Sequence, residues 1–185
     1  MTNIIFGGCG GYVTYYMGIA KFIQNNYSLS DVTYTASSAG TVPAFLLAIG
    51  YDIQKAYLEW FLPWMKKAKR SNILFEHNII SNDFFKSMKP IFFKLFNKPE
   101  YLNLLNKKLC IVLTDINLKK HYIQNWNTME DLFECMCVSS SLPYFFKNRA
   151  TSIYKEIEYF DGSFIDYDNN TPDYTKNIYI NITTF

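Results

Sequence analysis

The chain has 185 residues, of which 49% are hydrophobic and 18% aromatic, enough apolar bulk to fill one sizeable core and too much for a disordered polymer. A formal net charge of +2 gives no argument for a nucleic-acid partner, and none is expected. No apolar run approaches the roughly 20 residues that span a bilayer, the nearest being Val42 to Ile49.

In chain order, the apolar run Asn3 to Phe6 predicts a strand. It breaks into Gly7-Gly8-Cys9-Gly10-Gly11, after which Tyr15, Met17, Ile19, Ala20, Phe22 and Ile23 follow a pattern closer to helical than to alternating. The β-branched run Val32 to Thr35 predicts a second strand, and Ala36-Ser37-Ser38-Ala39-Gly40 a tight turn. A helix follows over Val42 to Ile49, ended by Gly50. Leu109 to Leu113 and Ile178 to Thr183 read as further strands, and Met129 to Val138 as a helix ahead of Ser139-Ser140-Ser141-Leu142-Pro143. Strands alternating with helices imply an α/β sheet covered by helices. There is no internal repeat and no long linker, so one domain over 1–185 is expected.

Two of these turns carry chemistry. A strand running sharply into a helix through small residues is how a protein exposes a nucleophilic serine, and Ala36, Ala39 and Gly40 supply the small neighbours of Ser38. The helix that follows points its N-terminal amides at that serine. The alternative is that Ser38 is simply an N-cap. The glycine run suits a loop whose N–H groups, from Gly7, Gly8, Cys9, Gly10 and Gly11, approach an oxyanion without a Cβ in the way. Read as a dinucleotide fingerprint from Gly8 and Gly10 it fails at Val13, and a P-loop fails because no Gly-Lys-Ser/Thr follows. A plain strand-to-helix turn stays open.

A serine nucleophile needs a base. The order Ser, Asp, His of α/β hydrolases requires a late histidine, and none follows His121. His77 and His121 read as surface or satisfied residues. Among the downstream acids, Asp161 ends the apolar run of Tyr159-Phe160 on a glycine turn, Asp161-Gly162-Ser163. Partial desolvation there raises the basicity of a carboxylate. Alone, Asp-Gly is equally a common turn dipeptide. Ser139 to Ser141 offers a rival nucleophile or a helix end.

Taken together these residues resemble a family. Phe6-Gly7-Gly8-Cys9-Gly10, continuing to Tyr15, Tyr16 and Gly18, resembles the glycine-rich loop of patatin-like phospholipases, especially the Gly-Cys-Gly form of the adiponutrin and adipose triglyceride lipase branch. Ala36-Ser37-Ser38-Ala39-Gly40 is similar to that family's Gly-x-Ser-x-Gly box, with Ala36 at the first glycine. Ser139 to Phe146 resembles the serine-rich stretch, ending in proline and aromatics, ahead of the family's second motif. Asp161-Gly162-Ser163 falls where the family carries Asp-Gly-Gly or Asp-Gly-Ala. The resemblance implies a three-layer α/β/α fold around a central, mostly parallel sheet. It also implies a Ser38–Asp161 dyad, a lipid ester substrate and no cofactor. The chain is short for the family, a minimal version or a fragment. A rival reading is an inactive lipid-binding protein that has kept the fold.

Between Trp60 and Lys98, basic residues from Lys66 to Lys98 outnumber the acids Glu76 and Asp83, and are interleaved with Trp60, Trp64, Phe92, Phe96 and other aromatics. That pattern fits either a segment meeting an anionic bilayer or a solvated basic face over core aromatics. Cys9, Cys110, Cys135 and Cys137 lack the spacing of a zinc site, so no metal is expected. Without a secretory signal, free thiols and an intracellular, cytoplasmic location, peripheral on membranes, are expected, and the sequons at Asn26, Asn169 and Asn181 carry little weight.

Overall fold

A computed structural model describes residues 1–70, 83–143, 150–165 and 176–181, with side chains throughout these except at 67–70 and 83–86. Strand β1 (Thr2–Phe6) leads through the glycine loop and a 3-10 turn, Gly10–Tyr12, into helix α1 (Val13–Asn26). Strand β2 (Val32–Ala36) leads likewise through a 3-10 turn, Ser38–Gly40, into α2 (Thr41–Ala48). A helical block follows: α3 (Ile53–Ala56), a π turn over Tyr57–Phe61, α4 (Leu62–Arg70), α5 (Asp83–Phe96) and α6 (Pro99–Lys108). Then come β3 (Leu109–Asp115), β4 (Lys120–Ile123), α7 (Met129–Ser139), β5 (Ser152–Tyr154), β6 (Ile157–Phe160) and β7 (Lys176–Ile180).

The strands form one sheet in the order β5-β6-β3-β2-β1-β7, with β4 also pairing β3. β7, β1, β2 and β3 run parallel, whereas β4 and β6 are antiparallel to β3. The chain is therefore a mixed α/β protein with a central, mostly parallel sheet flanked by helices, consistent with a three-layer α/β/α fold. Its central strands β1, β2 and β3 are buried along nearly their whole length, as in a parallel sheet covered on both faces. All seven residues of β3 are buried. Asn3 on β1 is a buried polar exception, and it is satisfied by hydrogen bonds that tie three strands. Its carbonyl accepts from the Thr33 and Thr35 hydroxyls at 3.4 and 3.3 Å, and its amide donates to Asn177 at 3.1 Å. An Asn3 without those partners would cost about 1–3 kcal/mol.

Side chains from α1 to α7 share a single core cluster with the sheet. Phe45, Trp60, Phe92 and Phe96 pack at its centre with ring centroids 5.2 to 5.8 Å apart, at about 0.5–1.5 kcal/mol per pair beyond area burial. Consequently Trp60, Trp64, Phe92 and Phe96 are buried. Within the described part of the basic, aromatic segment they are core residues under a basic surface. The rest of the segment, with His77, lies outside the described residues, as do Tyr144 to Phe146 and the Asn169 sequon.

The sheet strands read from sequence agree with the structure to within two residues where described. The strand expected from Ile178 to Thr183 starts two residues earlier and ends at Ile180, Asn181 lying beyond it and 182–183 outside the described residues. Helix α7 matches the expected Met129 to Val138 and is closed at its N-terminus by the Thr128 hydroxyl, which accepts from Asp131 N–H at 3.0 Å. No described helix is long and apolar enough to cross a membrane.

Candidate active site

Ser38 follows β2 directly, and the turn that carries it is strained. Its φ of +53° lies in the left-handed region, which costs an L residue about 1–2 kcal/mol. Several bonds hold it there. Ser37 N–H donates to Phe6 O at 3.1 Å, and Gly40 N–H closes the turn onto Ser37 O at 3.0 Å. Ser38 N–H donates to the Ser139 hydroxyl at 3.0 Å, which in turn donates to Val112 O at 2.8 Å. The end of α7 is thereby pinned between the serine turn and β3.

Asp161 arrives from the other side of the chain's length. It leaves β6, whose Phe160 pairs Thr114 of β3, and Gly162 packs against β3 so closely that a Cβ there would stand 2.1 Å from Val112 O. Gly162 N–H donates to Ser139 O at 2.9 Å, so Ser139 grips both halves of the site. The result is a direct contact: Ser38 Oγ donates to Asp161 Oδ2 at 2.9 Å, with the two residues 4% and 1% exposed. The other carboxylate oxygen accepts Ser163 N–H at 2.8 Å.

Burial pushes the Asp161 carboxyl up to about 6, against hydrogen bonds from Ser163 and Ser38 and the charge of Lys120, which lower it. A carboxylate so placed is a stronger base than one in water, and it is still ionised at neutral pH. Cys9 is close enough to feel the Asp161 charge. Burial first, then that charge, pushes its thiol to about 12 and keeps it neutral. No family model matches the chain, and no curated protein matches it either.

The glycine loop lies against the serine turn. A Cβ at Gly8 would meet Ser163 Oγ at 2.3 Å and Ser38 Cβ at 3.4 Å, and a Cβ at Gly40 would meet Gly7 O at 2.3 Å. Of the five loop residues named from sequence, Gly7 donates its N–H to Ile180 O at 3.0 Å and so continues the sheet. Gly8 and Cys9 N–H enter no hydrogen bond among the described residues. Gly10 adopts φ +48° and, with Gly11, is exposed with open space where a Cβ would be. Both dyad residues are thus brought together beside this loop.

His121 is not part of that constellation. It pairs with Asp115 at 2.8 Å on the hairpin of β3 and β4, and the His121 hydrogen bond holds the Asp115 carboxyl below its ordinary value. Sequence reasoning gave no role in the site to Ser37, Ser163 and Lys120, and offered Ser139 only as a rival nucleophile or a helix end. Ser37 and Ser163 share a hydroxyl contact of 2.7 Å, and Lys120 donates to Gly162 O at 3.3 Å although it is only 6% exposed. The serine run ahead of Leu142-Pro143 was a visible signal for Ser139, as a helix end. Nothing local marks Lys120.

Proposed function

We propose that this chain is a patatin-like lipid acyl hydrolase that cleaves a carboxylic ester of a phospholipid or acylglycerol. The observation that carries the reading is the 2.9 Å contact from a strained Ser38 to a buried, raised-pKa Asp161. Asp161 Oδ2 takes the Ser38 proton as Ser38 Oγ attacks the ester carbonyl. The tetrahedral oxyanion is held by loop amides, Gly7 N–H being committed to the sheet and Gly8 and Cys9 being among the donors left. Collapse expels the alcohol, which leaves with the proton from Asp161, and Ser38 carries the acyl group. Water then gives its proton to Asp161, attacks the acyl-serine and releases the fatty acid while Ser38 regains its hydrogen. The cycle balances without a cofactor. The reading includes an intracellular location with peripheral attachment to an anionic membrane.

A fluorophosphonate probe, which needs an activated serine, tests it. The wild type is expected to label at Ser38, and Ser38→Ala and Asp161→Asn to lose ester turnover by on the order of 10^4-fold. Turnover retained in Ser38→Ala ends the proposal. A wild type that binds lipid vesicles yet never labels is instead the inactive lipid-binding relative.

A further inference from the structure

We infer that Lys120 is a positioning residue for the dyad, its buried ammonium holding the Asp161 carboxylate ionised and in place against Ser38. The claim rests on the hydrolase reading only for its kinetic readout. Lys120 stands opposite Thr114 in the pairing of β4 with β3, and Phe160 stands opposite the same Thr114 in the pairing of β6 with β3. This shared register sets Lys120 level with the end of β6, where Asp161 begins. From there Nζ donates to Gly162 O at 3.3 Å, an oxygen that also accepts from the Thr114 hydroxyl at 3.4 Å. The Gly162–Ser163 peptide, whose N–H donates to Asp161, is thus fixed from β3 and β4 at once, with a positive charge beside it.

The charge matters because burial alone opposes ionisation of Asp161. Titratable side chains that act on it include Cys9 from the glycine loop, which stays neutral, and Lys120 from β4, whose charge opposes the effect of burial. Ser38 and Ser163 supply hydrogen bonds but no countercharge. A lysine that served the fold alone would leave the acid limb of activity where it is.

Two measurements on the full chain separate these roles. In kcat/KM for a p-nitrophenyl ester against pH, Lys120→Met is expected to raise the acid-side midpoint by about one pH unit, whereas Lys120→Arg keeps it. An unmoved midpoint in folded Lys120→Met overturns the inference. A wild type with no serine labelling overturns the hydrolase reading instead, and leaves a double-mutant cycle to decide the role of Lys120. In urea unfolding at pH 8 the destabilisation by Lys120→Met is expected to shrink in the Asp161→Asn background, because the charge it offsets is gone. Equal destabilisation in both backgrounds refutes the inference. Should Lys120→Met fail to fold, folding of the double variant supports the pairing and its failure counts against it.

Discussion

Asp161 is held at a cost to stability, and its pH dependence has a definite sign. Its carboxyl is raised from 3.8 to about 6 by burial, so between those values the folded state keeps a proton that the unfolded chain gives up. The contribution of this group to stability is therefore greatest below about pH 4 and is lost as pH rises through about 6. At pH 8 Asp161→Asn, which keeps an acceptor for Ser163 N–H and removes the charge, is expected to stabilise the protein by as much as ~3 kcal/mol. At pH 4 most of that gain should vanish. Urea unfolding at the two pH values reads this directly, and an equal effect at both would show that Asp161 is not raised. Turnover moves oppositely, falling below about pH 6 as the base is protonated. Ser38 was legible in the sequence because it sits among the small residues a sharp turn needs, and Asp161 because it ends an apolar run on a glycine turn. Lys120 was not, since a buried lysine and an exposed one look the same in a string such as Leu118-Lys119-Lys120.

Between elements, the site depends on how closely the glycine loop after β1 lies on the turn before α2. A methyl at position 40 would stand 2.3 Å from Gly7 O and 2.8 Å from Phe6 O, both backbone atoms with little room to yield. Gly40→Ala is expected to destabilise the fold by roughly 2 kcal/mol or more and to reduce turnover by moving the loop away from Ser38. Gly18→Ala is the matched control. It lies in α1 with open space around it, and should stabilise by about 0.5–1 kcal/mol through helix propensity. Thermal unfolding of the pair checks both signs, and a harmless Gly40→Ala would mean that loop and turn are not in contact. The strand-turn-helix units read well from sequence because apolar strands and glycine punctuation are local signals. β4, β5 and β6 were missed: they have four, three and four residues, and the turn that joins β5 to β6 is Lys155-Glu156, both at positive φ without the glycine or asparagine that marks such a hairpin. The block from α3 to α6 was read for charge and aromatics rather than for helices. Its apolar residues are interrupted by a π turn and by Pro90 inside α5, which break the period of a single helix.

For the whole molecule, the placement of aromatics decides how it would meet a membrane. Trp60, Trp64, Phe92 and Phe96 fill the core, so among the described residues of that segment the groups left at the surface include Lys66, Lys94 and Lys98. Lys89 is partly buried and paired with Glu130. Attraction to an anionic bilayer through this face is then electrostatic, on the order of 1 kcal/mol per lysine near the surface, and decays within a Debye length. Flotation is expected with vesicles containing phosphatidylserine and not with pure phosphatidylcholine, and is expected to be lost at about 1 M salt, where that length is about 3 Å. Equal flotation with both vesicle types would remove the basic face as the cause. Binding to the anionic vesicles that survives high salt would instead locate the contact on apolar residues outside this segment, such as Tyr12 and Tyr15, each 63% exposed beside the glycine loop. The two outcomes orient the protein differently. A charge-led contact presents the α4 and α5 face to the bilayer, whereas an apolar contact at Tyr12 and Tyr15 brings lipid straight to the loop that lines Ser38.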